Sequence, residues 1–165
     1  MKKIDELKTK ISEANDRINE LKNQVQKELR AEFNGALSEL FDEYPFINSV
    51  SFTAYQPYFN DGNTCEYSVN HEYCDFNGYS EYDDDGKGEG ENILQLAEET
   101  IYVNVGGSYK RQPNPNFNPL YKEAVDAFRE ALAVVDEDNW EEMVGDHVKV
   151  TITREGITTD EYEHD

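Results

Sequence analysis

Apolar residues open the chain at alternating spacings of three and four: Ile4, Leu7, Ile11, Ala14, Ile18, Leu21 and Val25. That rhythm is a coiled-coil seam of about three heptads, and it predicts a long amino-terminal helix whose apolar stripe needs a partner. After Val25 the apolar set moves to Leu29, Phe33, Ala36, Leu37, Leu40 and Phe41. A four-residue step of this kind locally unwinds a supercoil, so the helix is expected to stop pairing as a coil there and to pack on a globular body. Tyr44-Pro45 should end it, because the residue before a proline is pushed out of helical geometry. Two coverings suit the seam: a helix expected near residue 120, or a second copy of the chain in a homodimer through residues 4–25.

From Phe46 the period changes to two. Val50, Phe52 and Ala54 alternate with Ser49, Ser51 and Thr53, the mark of a half-buried strand. "FNDGNT" supplies an Asp-Gly turn, and Cys65, Tyr67 and Val69 alternate with Glu66, Ser68 and Asn70 in an expected returning strand. Residues 75 to 92 form a polar, glycine-containing loop. "NILQLAEETIYVNVGG" fits either a short helix running into a strand or one longer strand, with Ile101, Val103 and Val105 favouring a strand at its end. Asn118 and Pro119 read as cap and first position of a helix carrying Leu120, Tyr121, Ala124, Val125, Phe128, Ala131, Leu132 and Val135 on one face. A turn or short helix around "DNWEEMVG" follows, and then Val148, Val150 and Ile152 begin a strand pair that turns at "REG". The fold class is α+β: a long coiled-coil-like helix, then a four- to five-stranded antiparallel sheet with one or two packed helices. The expected division is a helical extension over 1–28 and an acidic globular domain over 29–165.

Charge separates the same two regions. The 165 residues carry a formal net charge of −21, but residues 1–35 hold eight basic and seven acidic side chains, which leaves seven basic against 29 acidic in residues 36–165. A body this acidic repels nucleic-acid phosphates and anionic membranes and attracts basic protein surfaces, with a pull that salt weakens. The chain has no apolar run long enough to span a bilayer, and "MKKIDELKTK" has the basic start of a signal peptide without an apolar segment behind it. Residence in the cytoplasm is expected.

Little in the chain resembles catalytic machinery, and no enzyme activity is expected. Cys65, His71 and Cys74 form C-x5-H-x2-C, and with His147, His164 or Asp61 as a fourth ligand they could hold a structural zinc. The spacing lacks the C-x2-C pair of standard fingers, and a cysteine on an apolar face equally serves as a small hydrophobe. No cofactor beyond that zinc is suggested. Placing Gly86 at the glycine of a calcium loop puts Glu81, Asp83 and Asp85 at ligand positions, but Asn92 falls where a bidentate glutamate is required, so the segment reads as a solvated acidic loop.

Between Glu66 and Glu99 stand eleven acidic residues and one lysine, interleaved with Tyr67, Tyr73, Tyr79 and Tyr82. Carboxylates on a folded surface can imitate a phosphate array, and tyrosines supply the rigid contact area interfaces favour. Glu81, Asp83, Asp84, Asp85, Glu89 and Glu91 are the expected electrostatic contacts, with Tyr79 and Tyr82 as anchors.

"TAYQPYFNDGNTCEYSV" and the carboxyl-terminal "GDHVKVTITREGITTDEYEHD" resemble a family of uncharacterised proteins of tailed bacteriophages and prophages, marked by T-x-Y-x-P-Y-F-N-D-G and a G-D-H-V-type strand pair. The resemblance implies a phage protein acting in the cytoplasm of the infected bacterial host and carries over no catalytic residue. Joined to the acidic body, it leads to the expectation of a non-enzymatic inhibitor of a host nucleic-acid-targeting defence complex, of anti-CRISPR or anti-restriction type. The alternative is a phage structural, assembly or regulatory protein that oligomerises through its amino-terminal coil.

Overall fold

The computed structural model describes residues 2–59, 61–80 and 90–163. The long helix is present as α1, Lys2–Glu43. It stops where expected: Tyr44 N still donates to the Leu40 carbonyl at 2.9 Å, and Pro45 follows. The chain divides into two compact units, Met1–Gly35 and Ala36–Asp165. In the first, the seam residues Ile4, Leu7, Ile11, Ile18, Leu21 and Val25 are all exposed.

The second unit is an α+β domain. Its sheet centres on β1, Val50–Tyr55. On one side β1 pairs antiparallel with β6, Val148–Thr153, from Val50↔Ile152 to Ala54↔Val148, and β6 pairs in turn with β7, Gly156–Glu161. The other side of β1 is shared by two short strands, β2 (Ser68–Val69) and β3 (Asp75–Phe76). A 3₁₀ turn, His71–Tyr73, lies between β2 and β3, so that edge is a single strand broken in the middle.

Alternation works as the sequence requires. Val50, Phe52 and Ala54 of β1 and Val150 and Ile152 of β6 are buried. α3, Pro119–Ala133, buries Ala124, Val125, Phe128 and Leu132 at helical spacing, and Phe128 meets Phe76 of β3 edge-on at 6.1 Å between ring centres. Phe41, at the end of α1, closes this core edge-on against Phe128 at 5.0 Å between ring centres. The Arg154 guanidinium lies over the Phe41 ring and donates to the Phe41 carbonyl at 2.6 Å, so a cation satisfies the last turn of α1. The helix is capped as expected by Asn118, whose side chain accepts from Leu120 N at 3.0 Å.

Two expectations fail in instructive ways. The returning strand was expected to include Cys65 and Tyr67, yet only Ser68 and Val69 pair with β1. Asp61 and Gly62 do turn, with φ of 33° and 84°, but they do not close a tight hairpin. β1 ends at Tyr55, and Pro57, lacking an N–H, comes two residues later, so the ladder cannot extend past Gln56 and the chain leaves the sheet before the turn. A second hairpin was not expected. β4, Thr100–Val105, pairs along its length with β5, Ser108–Pro113, across Gly106 and Gly107 at φ of 62° and 89°. That is a two-residue turn of the type that needs positive φ twice. Every residue of β5 is exposed, so no apolar alternation announced it.

Two short helices complete the unit, α2 (Ile93–Ala97) and α4 (Glu137–Val144). Among the described residues no helix is long and apolar enough to cross a membrane.

Candidate functional site

α4 is a buried tryptophan wrapped in carboxylates. Trp140 has no exposed surface; its ring meets Phe52 edge-on at 5.2 Å, and Nε1 donates to the Leu132 carbonyl at 3.3 Å. With that side chain pinned to the core, Glu137 and Glu141 form one exposed row and Asp138 and Glu142 another, each repeating one helical turn on. Asp136 starts the helix by accepting from Asn139 N at 2.8 Å, and Gly145 ends it at φ 86°.

The chain then passes from Gly145 to Asp146 and His147, and there the segment that follows β1 meets the segment that leads into β6. Asp146 Oδ1 accepts from Gln56 N at 2.7 Å and from His147 N at 2.8 Å, and it lies 3.0 Å from His147 Nδ1. One carboxylate oxygen thus ties the exit of β1 to the entry of β6. His147 occupies left-handed backbone at φ 52°, a conformation that costs a non-glycine residue energy and is held here by those bonds. Tyr58 stacks on the imidazole at 4.3 Å with 18° between planes, Tyr55 lies 6.2 Å away, and Tyr162 lies 5.5 Å from Tyr55. Tyr67 donates its hydroxyl to the Gly145 carbonyl at 2.9 Å. Burial, and then the negative charges of Glu141, Asp146 and Glu137, push the Tyr67 phenol well above its ordinary range, so it remains a donor.

His147 Nε2 is buried without a hydrogen-bond partner. The dyad acts as a clamp. Around it Tyr58 and Phe59 stand 76% and 72% exposed, so the corner offers aromatic anchors beside the carboxylates of α4. That pairing is suited to protein contact. Sequence reasoning overlooked this surface, although "DEDNWEEMVGD" carries its signal: six acids in eleven residues around one tryptophan.

The other acids behave alike. Every described Asp and Glu of residues 36–163 is exposed except Asp75 and Asp126, which are half-buried. A hollow of about 260 Å³ beside α2, β4 and α3 gathers Arg111, Lys122 and Arg129, but Glu98, Glu99 and Asp126 line it as well, and Lys122 is paired with Asp126 at 2.6 Å. The hollow is balanced in charge.

Of the residues expected to meet a partner, Glu81, Tyr82, Asp83, Asp84, Asp85 and Glu89 lie outside the described residues. Tyr79 is half-buried, and its hydroxyl donates to the Gly90 carbonyl at 2.8 Å. It sits just after a turn in which Asn77, at φ 53°, accepts from Asn48 N and Ser49 N and donates to the Phe46 carbonyl. Glu91 is exposed and accepts from the Tyr121 hydroxyl at 3.2 Å, and burial together with that contact raises the Tyr121 phenol above its ordinary range.

The expected zinc ligands do not converge. Among the described residues no three His, Cys, Asp or Glu side chains are grouped to hold a metal ion, so Cys65, His71, Cys74 and His147 do not fit zinc as a set, and His164 lies outside the described residues. The reason is local. Cys74 is 1% exposed, and burial pushes its thiol up to about 11 against a partial lowering by Arg129. His147 is committed to Asp146, and His71 belongs to the 3₁₀ turn. No protein-family model, curated protein or solved structure matches this chain.

Proposed function

We propose that the protein is a phage-encoded, non-enzymatic inhibitor that acts in the cytoplasm of the infected host by docking its acidic body on a basic, nucleic-acid-handling surface of a defence complex of anti-CRISPR or anti-restriction type. One observation carries the reading: residues 36–165 hold seven basic against 29 acidic side chains, and nearly all the described carboxylates among them face solvent. Such a field excludes nucleic acid as the direct ligand and speeds encounter with a positively charged groove. The exposed Tyr58 and Phe59 beside α4 supply the apolar contact that charge alone lacks. Defence complexes are the target class because of the resemblance to phage proteins.

The test is plasmid interference in cells carrying a restriction or CRISPR system, followed by binding kinetics with the purified complex. The protein should restore transformation by a targeted plasmid. Neutralising Glu137, Asp138, Glu141 and Glu142 to Gln, Asn, Gln and Gln should slow association about tenfold at low salt. Unchanged interference by every complex tried would sink the reading, and an unchanged association rate would remove α4 from the interface.

The exposed seam of α1 favours a second reading, an assembly or regulatory protein that works through its amino-terminal coil. Replacing Leu7, Ile18 and Leu21 with serine should abolish activity under this reading and leave inhibition intact under the first.

A further inference from the structure

Setting Ile4 as heptad position a gives a = Ile4, Ile11, Ile18 and Val25, and d = Leu7, Ala14 and Leu21. β-branched residues at a with leucine at d favour a parallel, two-stranded coil, so the seam is built for one other helix. The stripe is two positions wide in seven, narrower than the face of a helix that lies on a membrane or inside a globular core. All of these residues are exposed, the six larger ones by 50 to 62%.

The flanking positions decide which helix. Position e holds Lys8, Asn15 and Lys22, and position g holds Lys3, Lys10, Arg17 and Gln24. Every charge beside the seam is positive, while Asp5, Glu6, Glu13, Asp16 and Glu20 all fall at b, c or f, away from it. In a parallel homodimer g faces the next e of its partner, which sets Lys3 against Lys8, Lys10 against Asn15 and Arg17 against Lys22. An antiparallel pair sets e against e and g against g, and neither position holds a carboxylate. Two copies therefore form no ion pair across the seam in either orientation. The parallel pair would also place Ala14 opposite Ala14 at the middle of the coil, leaving a void where leucine normally meets leucine.

We infer that this seam is the docking site for a parallel helix of a different protein, one with its own apolar a and d positions, glutamate or aspartate at e and g, and a bulky residue opposite Ala14. Charge selects against self-pairing and toward an acid-flanked partner, the use to which coiled coils put these positions. The inference does not depend on what the acidic body binds.

The probe is a synthetic helix as long as the seam, with Ile at a, Leu at d and Glu at every e and g. Because the acidic body repels this peptide, binding reports the seam alone. The full-length protein should sediment as a monomer and bind the peptide one to one, more weakly as salt rises. Reversing Lys3, Lys8, Lys10, Arg17 and Lys22 to Glu should weaken binding by more than about tenfold. Ile11→Ser with Leu21→Ser should abolish it, and an unchanged circular dichroism spectrum of each variant would certify the fold. Dimerisation of the full chain without peptide, indifference of binding to the charge reversal, or displacement of the peptide by phosphatidylcholine vesicles would each overturn the inference.

Discussion

Leu21 of α1 is 62% exposed and Val50 of β1 is fully buried, although both sit in apolar stripes that the sequence displays equally well. The stripes differ in what accompanies them. β1 belongs to a unit that also carries β6 and α4, so Val50 finds Ile152 across the ladder and Phe52 finds Val150 and Trp140 within the same unit. The unit Met1–Gly35 is one stretch of α1, and a single helix supplies no second face. Periodicity thus states which side of an element is to be covered. What covers it depends on the rest of the chain or on another molecule.

The sharpest way to break this contrast is to remove the most buried side chain. Trp140→Ala should cost about 3 to 5 kcal/mol in urea unfolding, since it empties a site with no exposed surface, removes the contact with Phe52 and strands the Leu132 carbonyl. A cost under about 1 kcal/mol would mean that α4 is not anchored by this residue, and its two rows of carboxylates would lose their fixed geometry.

How much of this was legible follows the same division. β1, α3 and β6 announced themselves by period or cap because their apolar residues are the ones that become buried, while α1 announced itself by a heptad period that stays exposed from Ile4 to Val25. β5 stayed hidden because "SYKRQP" buries nothing, although the Gly-Gly before it is a hairpin signal in its own right. The site was legible only in parts. "TAYQPYFNDG" and "GDHV" each stood out locally, but the bond from Gln56 to Asp146 spans 90 residues, and no local pattern encodes that meeting. The expected zinc ligands stand apart for a related reason. Proximity in sequence put Cys65, His71 and Cys74 together, whereas burial drew Cys74 into the core beside Arg129.

That burial makes a chemical prediction of intermediate size. The Cys74 thiol is held at about 11 in the folded protein, against an ordinary value near 9, because the desolvated thiolate is disfavoured. The folded state therefore keeps a proton that the unfolded chain releases. The stability this represents is fully present below pH 9 and is lost as pH rises toward 11, amounting at most to about 2 to 3 kcal/mol. Cys74→Ala should flatten this part of the alkaline stability profile. In a Cys65→Ser background, the Cβ NMR shift of Cys74, read without any reagent entering the core, should titrate with its midpoint near pH 11; a midpoint near 9 would show that the core does not enclose it.

The smallest expected effect bears on the seam. Leu21→Ala removes as much hydrocarbon as many core substitutions, yet in a chain whose seam is uncovered it should change unfolding free energy by less than about 0.5 kcal/mol, because leucine there is already in water and alanine is at least as good a helix former. The size of the effect is also a measure of occupancy. If two copies covered the seam, stability would rise with protein concentration and the same substitution would cost about 2 to 5 kcal/mol, the range for truncating a buried leucine. With the acid-flanked peptide bound, that larger cost should appear only in the complex. One residue, measured alone and with the peptide, thus converts the contrast between Leu21 and Val50 from a difference in exposure into a difference in who supplies the second face.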